Sequence, residues 1–145
     1  MKKLIASEFT QNRIFMGRLP YNEDLIKSIE NFCREANIKT GEFSVIGALS
    51  SVTTGIYDQK QQVYVTTVDK GEFEILSCTG NISIKDGVPM AHAHIILCGE
   101  DGRTFGGHLF SESINFAGEI VLRELAGETL TRVYDETTGL MLWKQ

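Results

Sequence analysis

The sequence predicts an α+β fold, with a mainly antiparallel central β-sheet and one main helix, at about residues 22–37, packed on it. Three observations lead to this class. Apolar residues recur at helical spacing between residues 25 and 36. From Glu42 onwards, short segments of strand character alternate with turn residues. Because two of these turns read Asp-Gly, neighbouring strands are expected to pair as antiparallel hairpins.

The first two elements are a strand and the helix. Residues 9–19 (FTQNRIFMGRL) have the mixed apolar pattern of a strand. Asn22 is expected to cap the helix, with Glu23 and Asp24 where the helix dipole favours acids. One face of this helix is apolar and is expected to be buried; it consists of Leu25, Ile26, Ile29, Phe32, Cys33 and Ala36.

The rest of the chain is predicted to be strands separated by turns. The strand-like segments are residues 43–58, 61–68, 71–84, 90–98, 103–110 and 119–125. A second short helix near residues 110–118 is left open. Glycines inside strands, such as Gly106 and Gly107, indicate bulges, bends or the close approach of another backbone or a ligand.

Composition limits the classes of function. A length of 145 residues suits a single domain, residues 1–145. The net charge of −5 weighs against phosphate-driven binding of nucleic acid, which requires clustered Lys and Arg.

Location and redox state are expectations from the same composition. The N-terminal apolar run stops at Ala6, and no segment has the roughly 20 apolar residues of a membrane span, so the cytoplasm is the expected location. Cys33, Cys78 and Cys98 form no C-x-x-C pair and are expected to be reduced thiols.

All three histidines lie in one predicted hairpin, PMAHAHIILCGEDGRTFGGHLF, at residues 89–110. Side chains alternate along a strand, so His92 and His94 share a face. A two-residue Asp101-Gly102 turn would place His108 on the opposite face. A three-residue loop with Gly102 in the left-handed position would instead place His108 directly across from His94.

The three-residue loop would bring three imidazoles within reach of one metal ion. Directly opposed Cβ atoms are about 4.5–5.5 Å apart, and residues two apart on a strand about 7 Å. Three imidazoles with an open position are typical of catalytic zinc, so His92, His94 and His108 are predicted to bind Zn²⁺ or another divalent transition metal. Gly106 and Gly107 would leave space beside this site for a ligand or a neighbouring chain. The alternative is a polar cluster that binds nothing.

Several other side chains are weaker candidates. Glu74 points either to solvent or a subunit interface, or to the metal site as a supporting group or general base. The same two interpretations apply to Glu112 and Glu119. Asn81 and Thr79 either line a pocket or, as expected, make turn or sheet hydrogen bonds. Trp143 is expected to pack against the sheet or a neighbouring subunit, and the remaining candidates are Arg103 and Arg132. The two arginines could bind an anion but are expected to be solvated or paired.

Several stretches resemble the PPC (plants-and-prokaryotes-conserved) domain in its free-standing prokaryotic form. They are FSVIGALSSVTTGIYD at 43–58, GEFEILSCTGNIS at 71–83, HAHIILCGEDGRTFGGHL at 92–109 and LTRVYDETTGL at 130–140. The resemblance implies a homotrimer in which His92, His94 and His108 correspond to the family's metal-binding histidines. In plants the domain follows AT-hooks in nuclear proteins and mediates self-association and contacts with transcription factors.

Two departures from the plant pattern bear on DNA binding. The chain contains no Arg-Gly-Arg-Pro core of an AT-hook, and Glu72 stands where the plant domain has an arginine. The resemblance favours a metal-binding trimeric module associated with DNA or a regulatory protein. The alternative is a zinc-dependent enzyme acting on a small molecule through the same three histidines.

Overall fold

A six-stranded antiparallel sheet forms the centre of the computed structural model, which describes residues 4–144. Its strand order is β1-β6-β2-β3-β4-β5, and a separate two-stranded sheet pairs β7 with β8. The elements are β1 (Thr10–Arg18), α1 (Leu25–Glu35), β2 (Gly41–Asp58), β3 (Val63–Lys85), β4 (Val88–Gly99), β5 (Thr104–Leu109), β6 (Ile114–Ala126), β7 (Arg132–Asp135) and β8 (Leu140–Trp143). The predicted α+β class is confirmed.

The helix is shorter than predicted, and a different residue caps it. Asp24, in an extended conformation, accepts the Lys27 N–H on Oδ1 at 2.8 Å. Asn22 instead adopts φ +60° and donates its N–H to the Asn115 carbonyl, so the prediction of Asn22 as the cap is wrong. Asp24 is better placed because the buried face begins at the next residue, Leu25.

The helix ends on an asparagine in the left-handed conformation. Asn37 has φ +54°, and its N–H donates to the Arg34 carbonyl. The Ile38 N–H reaches back to the Cys33 carbonyl at 2.8 Å, and the Ile38 side chain is fully buried. This pattern is a Schellman motif, which satisfies carbonyls that the last turn leaves unpaired.

Two strand predictions change in extent. Segments 61–68 and 71–84 form one strand, β3, because β2 pairs with it on both sides of Gly71 (φ +151°), with a register shift between the pairs Leu49–Phe73 and Ser51–Lys70. The short helix left open near residues 110–118 does not form. There a turn precedes β6, which starts at Ile114 and pairs with both β1 and β2.

The core lies between α1 and one face of the sheet. Residues of α1, β2, β3, β4 and β6 fill it, among them Leu25, Ile29, Val45, Leu49, Ile82, Ile95, Leu97 and Leu122. A polar contact also joins helix to sheet, since the Glu30 carboxylate accepts the N–H of Ala91 on β4 at 3.0 Å.

Cys33 and Cys78 are buried and Cys98 is half-buried, and all three are free thiols. No helix within residues 4–144 has the length and apolar character needed to cross a membrane.

Strand β5 closes the sheet on itself, because it pairs with β4 and also with β2, through the pairs Thr54–Leu109 and Gly55–His108. A Cβ on Gly106 would lie 2.1 Å from the Ile95 carbonyl oxygen. A Cβ on Gly107 would lie 2.8 Å from the Gly55 carbonyl oxygen. The expectation that these glycines leave space for a ligand or another chain is therefore wrong, because neighbouring strands of the same chain fill that space.

Replacing Gly106 by alanine is expected to lower the free energy of unfolding by about 1–3 kcal/mol, the usual cost of overpacking. The added methyl would force β5 away from the Ile95 carbonyl. Urea unfolding measures the loss. Gly17→Ala is the matched control, because its nearest contact would be Ile120 Cγ2 at 3.9 Å, and it should change stability little. Equal effects of the two substitutions would contradict this explanation.

A carboxylate of β6 binds β1 through an arginine. The Glu124 carboxylate accepts Arg13 Nε at 2.5 Å and Nη2 at 2.9 Å, and Asn12 at 2.8 Å. Arg13 Nη2 also donates to the Ala36 carbonyl. These hydrogen bonds, with Arg13 the largest contributor, lower the pKa of Glu124. Arg13 therefore connects the Glu124 carboxylate of the sheet to Ala36 at the end of the helix.

The stabilisation from Glu124 is expected to depend on pH. Since its folded pKa lies below its ordinary value of 4.5, the stabilisation is present above pH 4.5 and is lost as the pH falls through the folded pKa. Glu124→Gln should lower the urea midpoint at pH 7, and its deficit relative to wild type should shrink as the pH falls below 4.5. Glu100→Gln, in the exposed β4–β5 loop, is the control and should have little effect at pH 7. A deficit of Glu124→Gln that persists unchanged at pH 3 would contradict the role of the charge.

Candidate metal centre

The β4–β5 hairpin has the register that brings the histidines together. His94 pairs with His108, and Leu97 pairs with Phe105. Gly102 has φ +76° and donates to the Gly99 carbonyl at 2.9 Å, which makes residues 100–102 a three-residue loop. The prediction that this loop places His108 across from His94 is confirmed.

The three imidazoles form one cluster on the sheet face opposite the core. Their candidate ligand nitrogens all lie within 4.8 Å of one another. The ring centroids are 5.0 Å apart for His92–His108, 5.2 Å for His92–His94 and 5.5 Å for His94–His108. His94 is exposed, while the other two rings are half-buried. Ala91, Ala93, Ile95 and Leu97 point from the same strand into the core.

The environment keeps two of the imidazoles neutral at physiological pH. Burial lowers the pKa of His92 to about 4, and the Arg132 guanidinium adds to that shift. Burial lowers the pKa of His108 to about 4 as well, with smaller contributions from the other histidines. Neutral imidazole has a lone pair available for a metal, and three such nitrogens suit zinc or a similar divalent ion. The donor set therefore fits the predicted metal.

Tyr64 on β3 supports His108. Its hydroxyl lies 3.3 Å from His108 Nδ1, and the two rings are 4.8 Å apart. If the hydroxyl accepts a hydrogen bond from the Nδ1–H of His108, the lone pair of His108 is on Nε2. A hydrogen bond of this kind orients a metal-binding imidazole. Phe110 packs on the same ring with centroids 4.5 Å apart. No local pattern identifies Tyr64, which lies 44 residues before His108 and is brought there by the β2–β3 and β2–β5 pairings.

Arg132 on β7 contacts the cluster from the other side. Its Nη2 lies 3.4 Å from His92 Nδ1 and donates to Asn81 Oδ1 at 2.9 Å. Asn81 pairs directly with His92 across the β3–β4 ladder. The Trp143 ring lies next to the Arg132 guanidinium, whose Cζ is 5.6 Å from the ring centroid. Thr79 pairs with His94. Two polar residues named as possible pocket residues thus border the histidines.

Glu74 lies on β3, far from the histidines, and pairs with Cys98 near the end of β4. It is five residues from Thr79, about 16 Å along the strand. Of the two interpretations of Glu74, the structure therefore favours a strand carboxylate that points to solvent or a subunit interface. Glu112 and Glu119 do not join the histidine cluster either. The Glu112 backbone N–H donates to the Asp24 carboxylate, and Glu119 pairs with Arg18 and Ile46.

Glu74 lines an open groove of about 530 Å³ instead. Two more acids and three aromatic rings share this groove: Glu72, Glu100, Tyr21, Phe73 and Phe116. Near it, Arg103 forms an exposed ion pair with Asp101 at 2.9 Å, as expected for a paired arginine.

The fold and the cluster define a class: an α+β protein with three histidines gathered on one antiparallel hairpin. Residues 6–126 match the model of the Plants and Prokaryotes Conserved (PCC) domain, the family that the sequence motifs resemble. The chain belongs to this family.

The curated relatives that match are longer proteins. The bifunctional protein GlmU of Synechococcus sp. (strain JA-3-3Ab) is 30% identical over 131 residues, which is 89% of this chain. The chain spans only 20% of the length of that relative.

Solved structures share the fold over almost the whole chain. The metal-containing protein AF0104 of Archaeoglobus fulgidus is 42% identical with a TM-score of 0.93, and the alignment covers 98% of this chain and 100% of that one. A PPC protein of Pyrococcus horikoshii is 37% identical with a TM-score of 0.92, covering 98% of each chain. A protein of Bacteroides thetaiotaomicron, provisionally named as DNA-binding, is 27% identical with a TM-score of 0.83, covering 94% and 96%.

Proposed function

We propose that this protein is a metal-binding module in which His92, His94 and His108 hold Zn²⁺ or another divalent transition metal. The observation that carries the proposal is the convergence of their ligand nitrogens within 4.8 Å. The description of the Archaeoglobus fulgidus relative as metal-containing supports it. An ion held there would act as a Lewis acid with a coordination position left for a further ligand.

Elemental analysis of protein prepared without a histidine tag tests the metal centre. We expect about one divalent metal ion per chain and almost none in His92→Ala. Tyr64→Phe should bind the metal about 10–100-fold more weakly, because the hydroxyl that orients His108 is lost.

Cys98→Ser is the matched control for these variants. Cys98 lies on the same strand and face as His92 and His94 but outside the cluster, so its replacement should leave the metal content unchanged. A wild-type protein that stays metal-free after zinc is added would overturn the proposal. In that case the histidines form a polar cluster with no ligand.

The second part of the proposal concerns assembly and location. We propose that each chain forms a single domain, residues 1–145, and that three chains assemble as a homotrimer in the reducing cytoplasm. The projecting part of the β2–β3 hairpin exposes large apolar side chains, with Ile56 72%, Val65 61% and Val68 58% accessible. Ile96, on the histidine face, is 52% accessible. Exposed apolar surface of this kind marks an interaction site. Free cysteines suit a reducing compartment.

The name of the Bacteroides thetaiotaomicron relative supports an association with DNA, and the family resemblance extends this to a regulatory protein that binds DNA. The net charge of −5 favours the protein-mediated association, because direct binding to phosphates requires clustered cations.

One experiment tests assembly and direct DNA binding together. Light scattering after size exclusion should give three chains of 16.2 kDa, and Ile56→Glu combined with Val65→Glu should reduce the assembly. Adding duplex DNA at low salt and at high salt should leave the elution unchanged. A DNA complex that forms at low salt and dissociates at high salt would overturn the protein-mediated role. A monomer at all concentrations would overturn the trimer.

Metal-dependent enzymatic activity is the alternative function, favoured by the exposure of His94 beside a three-ligand site. A metal with an open position lowers the pKa of bound water and supplies hydroxide as nucleophile. Within residues 4–144, no carboxylate joins the three histidines as a metal-ligand group. Hydrolysis of small esters that disappears in His92→Ala would distinguish this alternative from a binding module.

A further inference from the structure

Arg132 is a buried cation whose hydrogen-bond partners are all neutral. The residue is 7% accessible. Nε donates to Ser83 Oγ at 2.8 Å, Nη1 to the Met141 carbonyl at 3.0 Å and Nη2 to Asn81 Oδ1 at 2.9 Å. The ion pairs found within residues 4–144 involve other arginines. Charged side chains are seldom buried without a counter-ion, because desolvation costs several kcal/mol.

Within residues 4–144, no carboxylate forms an ion pair with Arg132. The histidines beside it carry no negative charge, and a metal ion would add positive charge. The groove acids Glu72, Glu74 and Glu100 gather at the opposite end of β4, beside Gly99. A chain of net charge −5 therefore has a cationic spot at its three-histidine face.

Metal binding would also deprive Arg132 of one hydrogen-bond acceptor. Arginine only donates, so a hydrogen bond across this 3.4 Å contact needs the lone pair of His92 on Nδ1. If His92 binds a metal through Nε2, its Nδ1 carries the proton and two donors face each other. If it binds through Nδ1, the metal takes the lone pair that Arg132 uses. In both cases an Arg132 N–H requires a new acceptor.

We propose that the metal-loaded site binds an anionic small molecule through a carboxylate group, with Arg132 as the residue that receives it. This rests on the proposed metal centre. A carboxylate has two oxygens, which match one guanidinium N–H and one open coordination position. Phosphate, with more oxygens to satisfy, is a poorer match, because Ser83, Met141 and Asn81 already occupy three of the Arg132 donors.

Cobalt-loaded protein provides a test that does not depend on activity. Co²⁺ is loaded into the wild type and each variant, its content is measured, and visible absorption is followed during titration with acetate. Acetate should change the cobalt spectrum to saturation, whereas acetamide, its neutral isostere, should not. Arg132→Gln should weaken acetate binding at least tenfold, and Arg132→Lys several-fold, because lysine retains the charge but not the planar fork. Arg103→Gln removes one exposed positive charge elsewhere and should behave as wild type.

The outcomes separate the two proposals. Acetate affinity that is the same in wild type and Arg132→Gln, at equal cobalt content, would overturn the carboxylate site and leave the metal centre standing. If Arg132→Gln does not fold, Arg132→Lys decides, and wild-type affinity in that variant would overturn the site. Failure of the wild type to bind cobalt would overturn the metal centre and the carboxylate site together.

Discussion

The close approach of β5 to two other strands is the constraint on which the histidine cluster depends. β5 must pair with β4 on one side and reach β2 on the other, and glycine is the residue type that permits both contacts at Gly106 and Gly107. The pairing with β2 sets Gly55 opposite His108. Because β3 is the hairpin partner of β2, the same closure brings Tyr64 beside the His108 ring. Backbone proximity thus determines both a candidate ligand and the group that orients it.

Strand β4 serves the core and the candidate site at once. Its alternate residues Ala93, Ile95 and Leu97 are almost fully buried, while His92 and His94 lie on the opposite face. A shift of this strand by one residue would exchange the two faces, so the apolar core enforces the position of the histidines. The helix adds to this constraint through Glu30, whose carboxylate receives the N–H beside His92. Stability and site geometry are therefore properties of the same packing.

The elements that could be predicted were those with a local signal. Helical spacing identified α1, and the alternation in β4 with the glycine of the three-residue loop gave the register of His94 and His108. Asn22 and Asp24 are both good caps by residue type, and only the contact of Asp24 with Lys27 separates them. The sequence left two interpretations of Glu74 open because its distance from the histidines depends on the β3–β4 pairing, which places it across from Cys98.

Non-local pairing accounts for what the sequence could not predict. Tyr64 and Arg132 are separated from their histidine partners by 44 and 40 residues. Arg132 reaches His92 because the β7–β8 sheet docks at the end of β3, where the Ile84 N–H bonds the Leu130 carbonyl and a bridge joins Ile84 to Thr131. That docking replaces water around the guanidinium with Ser83, Met141 and Trp143. The C-terminal hairpin thus contributes a charge to a surface that β4 and β5 would otherwise leave neutral, and with that charge a preference for anions.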